Sequence, residues 1–123
     1  MGQIIADTNI LIYLLKNDLQ PGQLLDKYQV YISFITELEL LSFPKISLNE
    51  IGILQELIDK CFIIQYSEDL KDDIILLKRK YNLKIPDAII AATAYSYFIP
   101  LLTAADKNYA RIREIETSIY STS

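Results

Sequence analysis

The sequence predicts an α/β fold: a three-layer sandwich in which helices flank a central, mostly parallel sheet of four or five strands. Three observations predict it. Short apolar runs that read as buried strands alternate with longer stretches of helical spacing. Their order is strand, helices, strand, helices, strand, helix, helix, strand, helix, strand, as expected for a parallel sheet with helical connections. The 123 residues contain no internal repeat, low-complexity segment or linker, so residues 1–123 read as one domain.

Each element has its own signal. Residues 3–6 are an apolar run ending at Asp7 and read as the first strand. Ile10, Leu11, Leu14 and Leu15 then recur at helical spacing over 8–16, with Asp7 or Thr8 placed to cap. Pro21-Gly22 marks a turn before a short helix over 23–28. A second strand over 30–33 leads into a helix over 35–41, stopped by Ser42-Phe43-Pro44. Ser47 and Glu50 have the spacing of a capping box and start a helix running to about Lys60. Residues 62–66 read as the third strand. Ser67 caps the next helix, with acids early (Glu68, Asp69, Asp72, Asp73) and bases late (Lys78, Arg79, Lys80), as the helix dipole favours. Pro86-Asp87 opens an apolar helix to about Tyr97. A strand over 99–103, a short helix over 108–113 and a strand over 116–120 complete the chain.

Composition removes several chemistries. No histidine is present, which excludes the Ser-His-Asp triad, the Cys-His pair, histidine acid–base catalysis and histidine-ligated zinc. Titrating groups are then carboxylates, and any metal ligands are oxygens, which favours Mg²⁺, Mn²⁺ or Ca²⁺. The single cysteine, Cys61, forms no internal disulfide and reads as a core residue in a reducing, cytoplasmic protein. A net charge of −4 argues against a general nucleic-acid coat protein. It leaves room for an enzyme that reaches phosphates through cations held by its own acids.

The uncharged stretch 88–105 is long enough to suggest a membrane span, but Pro100 divides it and Thr93, Ser96 and Thr103 interrupt it. It reads as a buried helix followed by a buried strand. The N-terminus shows no signal segment, and Met1-Gly2 lacks the Ser or Thr that a myristoylation start needs at position 6.

Four acids fall where open parallel sheets place their ligand sites, outside the carboxyl ends of the strands. Asp7 directly follows the first strand, Asp106 lies just past the fourth, Glu39 is in the helix leaving the second, and Asp87 is in the first turn of a helix. Each also has a purely structural explanation. Asp7 caps a helix, Glu39 completes a capping box from Thr36, Asp87 favours a dipole, and Asp106 is a loop acid. Asp7 and Asp87, however, stand between apolar segments, where an unpaired carboxylate is costly. Several carboxylates at one strand end repel each other unless a divalent cation neutralises them.

Residues 4–12 (Ile-Ile-Ala-Asp-Thr-Asn-Ile-Leu-Ile) resemble the opening strand and first acid of PIN domains. Residues 32–41, with Ser33, Thr36 and Glu39-Leu40, resemble the second block of that family. Residues 83–94, Leu-Lys-Ile-Pro-Asp-Ala-Ile-Ile-Ala-Ala-Thr-Ala, resemble the third, and 100–103 followed by Asp106-Lys107-Asn108-Tyr109 the last. The blocks follow family order over nearly the whole chain, and the compact length is similar to that of VapC-type ribonuclease toxins of type II toxin–antitoxin systems. One spacing departs from the commonest pattern, Thr-x-Asp: position 105 is Ala and the acid comes at Asp106.

The resemblance implies an endoribonuclease whose Asp7, Glu39, Asp87 and Asp106 bind one or two Mg²⁺ or Mn²⁺ ions and are catalytic, with Glu37 as the alternative to Glu39. Asn9, Ser33 and Thr103 match supporting positions. Two ions would stand about 4 Å apart, activate water and stabilise charge on the phosphodiester, leaving a 5′-phosphate and a 3′-hydroxyl. Lys16, Lys84, Lys107, Arg111 and Arg113 are candidate contacts to the RNA backbone, with a solvated basic face as the plain alternative. Tyr13 and Tyr109 are candidates to stack on bases, although with nine tyrosines packing is the commoner fate. The resemblance further implies a homodimer and a cognate antitoxin that wraps the toxin. Apolar and tyrosine residues in the helices at 8–16, 34–41 and 48–60 are compatible with such interfaces.

Three rival readings compare poorly. A phosphatase using an aspartyl-phosphate needs Asp-x-Asp after the first strand, and Asn9 stands at the second position. A receiver domain needs an acidic pair where Asp7 is solitary. A PIN-like module that binds RNA or a partner without cutting is the non-enzyme alternative.

Overall fold

The computed structural model describes residues 2–16, 21–104 and 107–120. Its elements are β1 (Gly2–Ala6), α1 (Thr8–Lys16), α2 (Pro21–Lys27), β2 (Tyr28–Ser33), α3 (Phe34–Leu41), α4 (Leu48–Asp59), β3 (Phe62–Ile64), α5 (Glu68–Tyr81), α6 (Ile85–Tyr97), β4 (Leu101–Thr103), α7 (Lys107–Ala110) and β5 (Thr117–Ile119). The strands form a five-stranded sheet in the order β3-β2-β1-β4-β5. Every pairing in it is parallel.

Side chains alternate across a strand, and here both faces are buried. Ile4, Ala6, Val30, Ile32 and Leu102 face one core, completed by Ile10, Leu11 and Leu14 of α1, Leu40 of α3 and Leu54, Leu57 and Ile58 of α4. Ile5, Ile64 and Leu101 face the other, under Leu70 and Leu77 of α5 and the apolar face of α6. Ala88, Ala91, Ala92 and Ala94 are all buried in that second core. Their small side chains let α6 lie close against α5 and the sheet. These two cores make the three layers that the alternation of elements predicts.

The caps follow the sequence signals. Ser47 accepts from the Glu50 amide at 3.1 Å and Glu50 Oε1 accepts from the Ser47 amide at 3.2 Å, completing the capping box. The Ser67 hydroxyl accepts from the Leu70 amide at 3.2 Å. Among the described residues no helix is long and apolar enough to cross a membrane, and 85–103 is the expected helix and strand.

Several boundaries differ from expectation. Pro21-Gly22 is not a turn but the start of α2, since proline has no amide to lose at the first helical position. That helix stops at Lys27, because Tyr28 pairs with Gly2 and begins β2 two residues early. β3, β4 and β5 are each three residues, shorter than their apolar runs, since pairing with a neighbour rather than hydrophobicity sets their ends. The last helix is the single turn Lys107–Ala110.

Candidate functional site

A parallel sheet gathers all its carboxyl ends at one edge. The chain leaves β1 for β2 and β3 on one side and returns through β4 on the other, so the order reverses between β1 and β4. That reversal opens the crevice where such sheets bind ligands. Asp7 sits in it. It is the first residue past β1, its amide donates to Leu102 O at 3.1 Å, and it is 1% exposed.

Both Asp7 oxygens are held. Oδ1 accepts from the Ile10 amide at 2.7 Å, which makes Asp7 the cap of α1. Oδ2 accepts from the Thr103 hydroxyl, also at 2.7 Å, at the end of β4. The capping explanation therefore holds for Oδ1, while Oδ2 is tied to the end of β4. These two donors fix the direction of the carboxylate.

Glu39 is reached from the next residue along. The Thr8 hydroxyl lies 2.7 Å from Glu39 Oε1 and 3.0 Å from the Thr36 hydroxyl. Having one proton, Thr8 gives it to the carboxylate, and Thr36 supplies the other bond. Thr36 is not the cap that a capping box with Glu39 requires. Ser33 caps α3 instead, accepting from the Ile35 amide at 3.2 Å, and Thr36 lies buried inside the helix. It is Glu39, not Glu37, that takes the bond from Thr8.

Asp87 lies half-buried in the first turn of α6, where the helix dipole favours a negative charge. Its Oδ1 accepts from the Tyr109 hydroxyl at 3.1 Å. Three acids on three elements thus each receive a hydroxyl from a further element: Thr103 to Asp7, Thr8 to Glu39, Tyr109 to Asp87. Among the described residues, no three carboxylate or thiol groups stand close enough together to hold one metal ion. The fourth acid of the expected set, Asp106, lies outside the described residues. What the crevice offers a cation is an oxygen donor set without nitrogen. It suits a small hard ion that is held through one or two carboxylates and keeps several waters.

The remaining expected residues divide. Ser33 and Thr103 are fully buried at the ends of β2 and β4. Asn9 is exposed and, with Lys16, lines a concavity of about 680 Å³ between α1 and α4. None of the three acids lines that concavity. It is an apolar groove beside the crevice, and the hydrogen-bonded acids mark the chemistry better than the volume does. Lys84 is exposed at the start of α6. The side chain of Lys107 lies outside the described residues.

Two expected substrate contacts are engaged inside the protein. Tyr109 is 1% exposed and cannot stack on a base. Arg111 donates to the Tyr81 carbonyl at 2.6 Å and covers that ring at 5.8 Å. Around it, Lys80 contacts Glu114 at 2.8 Å, and the Tyr81 hydroxyl donates to Glu114 while accepting from the Arg113 amide. Hydrogen bonds from Lys80 and Tyr81 hold the Glu114 carboxyl below its usual pKa. This clamp ties the segment after α7 to the end of α5. Tyr13 packs edge-on against Tyr120 at 6.4 Å. Cys61 is half-buried rather than fully in the core, and burial pushes its thiol up to about 11, as befits an unreactive side chain.

Sequence reasoning missed Thr8 and Tyr109 as partners of acids. Each stood inside a singled-out block, and the signal was a hydroxyl residue near an acid, a weak one without the fold.

A family model described as PIN domain matches residues 4–115. Among solved structures, a chain of a toxin–antitoxin complex from Klebsiella pneumoniae is 33% identical, with a TM-score of 0.76, the match covering 94% of this chain and 95% of that one. A chain of DNA-bound VapBC from Salmonella typhimurium is 21% identical with a TM-score of 0.83, covering 97% and 98%. A chain of VapBC-1 from nontypeable Haemophilus influenzae is 23% identical with a TM-score of 0.80, covering 95% and 97%. The last two show likeness of fold. No curated protein matches the sequence.

Proposed function

Since the chain belongs to the PIN-domain family, we propose that it is a Mg²⁺- or Mn²⁺-dependent endoribonuclease of the VapC type, the toxin of a toxin–antitoxin pair, with residues 1–123 as one domain. The observation that carries this reading is Asp7: a carboxylate buried at the β1–β4 crevice, with Oδ1 oriented by the Ile10 amide and Oδ2 by the Thr103 hydroxyl. Burying a charge there is costly. A carboxylate fixed at that place is a ready oxygen ligand for a divalent cation.

Asp7, Glu39, Asp87 and Asp106 are the residues assigned to hold the ion or ions, with Asn9, Ser33 and Thr103 supporting them. Bound there, such a cation lowers the pKa of water and neutralises phosphate charge. The chain's own part is to place and orient. Thr103, Thr8 and Tyr109 each fix one acid, and the N-terminus of α6 adds a partial positive charge beside Asp87. Lys16 and Lys84, both exposed, and Lys107 are assigned to the RNA backbone. A cytoplasmic location goes with this reading.

An antitoxin needs an apolar seat. The groove walled by Ile12, Leu15, Phe43 and Ile53 is apolar, and Asn9, two residues past Asp7, is part of its lining. The 33% identical chain from a toxin–antitoxin complex supports that partner. Leu38 and Leu48, exposed on α3 and α4, are compatible with a homodimer.

The test is cleavage of RNA by the purified chain in Mg²⁺ and in Mn²⁺. Asp7→Asn and Asp87→Asn are each expected to lose at least about a hundredfold in rate, the scale on which groups that stabilise transition-state charge act. Cleavage that persists in chelator, or in both variants, would overturn the mechanism. The absence of a three-acid cluster among the described residues favours one second reading, a PIN-like module that binds RNA or a partner without cutting. Binding without metal-dependent cleavage is its signature.

A further inference from the structure

Tyr109 is an unusual place to find a phenol. Its ring is 1% exposed, within the core formed by α5, α6 and the sheet. A phenylalanine would fill that volume and bury no polar atom. The hydroxyl instead reaches Asp87 Oδ1 at 3.1 Å, on a residue that is half-buried rather than enclosed. The backbone around it is tied down: the Tyr109 carbonyl accepts from the Ile112 amide at 3.0 Å and from the Thr117 hydroxyl at 3.5 Å. Two residues on, Arg111 is fixed to the Tyr81 carbonyl. The backbone that carries the phenol is thus tied down on both sides, while the acid that the phenol touches sits in the first turn of α6.

We propose that Tyr109 is a positioning residue for Asp87: its hydroxyl takes up Oδ1 and holds the carboxylate so that Oδ2 faces the crevice. The proposal rests on the cation-binding reading of the acids. A donor that fixes a ligating carboxylate sets its orientation, and removing such a partner commonly weakens metal binding about 10- to 100-fold. The fold itself loses little, because Asp87 is not enclosed, so water can take the place of the phenol, and phenylalanine keeps the packing.

The test is calorimetric titration with Mn²⁺ alone on the intact chain, beside thermal melts without metal. Tyr109→Phe is expected to bind Mn²⁺ at least about tenfold more weakly while its Tm stays close to that of the parent. Tyr109→Leu is expected to match Tyr109→Phe in Mn²⁺ affinity but melt lower. A packing role gives the opposite pattern, with Phe like the parent and only Leu impaired, and overturns the proposal. So does a Tyr109→Phe protein whose melting falls in step with its affinity. If the parent chain binds no Mn²⁺, the cation-binding reading fails first and the inference goes with it, an outcome distinct from equal binding by parent and Phe variant.

Discussion

The Thr103 hydroxyl donates to Asp7 Oδ2 across 2.7 Å, joining residues 96 apart in sequence at the seam between β1 and β4. Both residues are buried, so water does not stand in when the bond is lost. Thr103→Val keeps the shape and removes the donor. A hydrogen bond to a charged group is worth roughly 1.5–3 kcal/mol, and stability is expected to fall by about that much. Thr103→Ser keeps the hydroxyl and is expected to lose less. Urea unfolding of the two variants checks this; equal midpoints for Val and parent would show the bond to be idle.

Asp7 serves two masters, and substitutions separate them. Asparagine caps a helix as well as aspartate does and carries no charge to bury. The Thr103 hydroxyl can also bond to an amide as donor or acceptor. Asp7→Asn is therefore expected to unfold at a denaturant concentration equal to or above the parent's, while losing Mn²⁺ binding and cleavage. Asp7→Ala loses both the cap and the acceptor for Thr103 and is expected to be less stable than the parent by more than the roughly 0.5–2 kcal/mol of a lost cap alone. An Asn variant as unstable as the Ala variant would mean that the charge, not the cap, holds β1 to α1.

Much of this was legible before any coordinates. Period and caps located the helices, because Ser47, Glu50 and Ser67 do locally what their spacing says. The strand ends were not legible, since Tyr28 joins β2 only through its pairing with Gly2 on another strand. The acids stood out at strand ends and helix starts. Their partners did not: Tyr109 looks the same in sequence whether it stacks on a base or donates to Asp87, and Arg111 looks like a free cation until Tyr81 is placed beside it. Contacts across elements need the fold, and Tyr109, Arg111, Arg113 and Glu114 each make one.

The clamp on that segment titrates. Lys80 and Tyr81 lower the pKa of Glu114 from its ordinary 4.5. A lowered folded pKa gives stability that is fully present above the ordinary value and lost as pH falls through the folded one. Lys80 is the mirror case: its pKa is raised above 10.5, chiefly by its hydrogen bond to Glu114, so its contribution is present below that value and lost as pH rises through the folded one. The pair is small in effect, because Lys80 is half-exposed and water screens it. The Tm gap between parent and Glu114→Gln is expected to be flat from about pH 6 to 9 and to close as pH drops below the ordinary value. A gap that widens in acid would contradict the sign.

The end of α6 carries a removable strain. Phe98 occupies the left-handed region, with φ 55°, and its side chain is 91% exposed. A side chain there costs about 1–2 kcal/mol, and so exposed a ring recovers little of it by packing. Asn82 does the same duty at the end of α5 with a side chain better suited to it. Phe98→Gly relieves the clash but frees the unfolded chain, a loss of about 0.4–1 kcal/mol. The balance favours the variant by somewhat under about 1 kcal/mol, or roughly 2–4 °C in Tm. Phe98→Asn is expected to gain as well. Thermal melts at low protein concentration measure this on the chain alone. If the gain reverses as concentration rises, Phe98 is covered in an assembled form, and the exposed ring rather than the strained backbone is what the chain keeps.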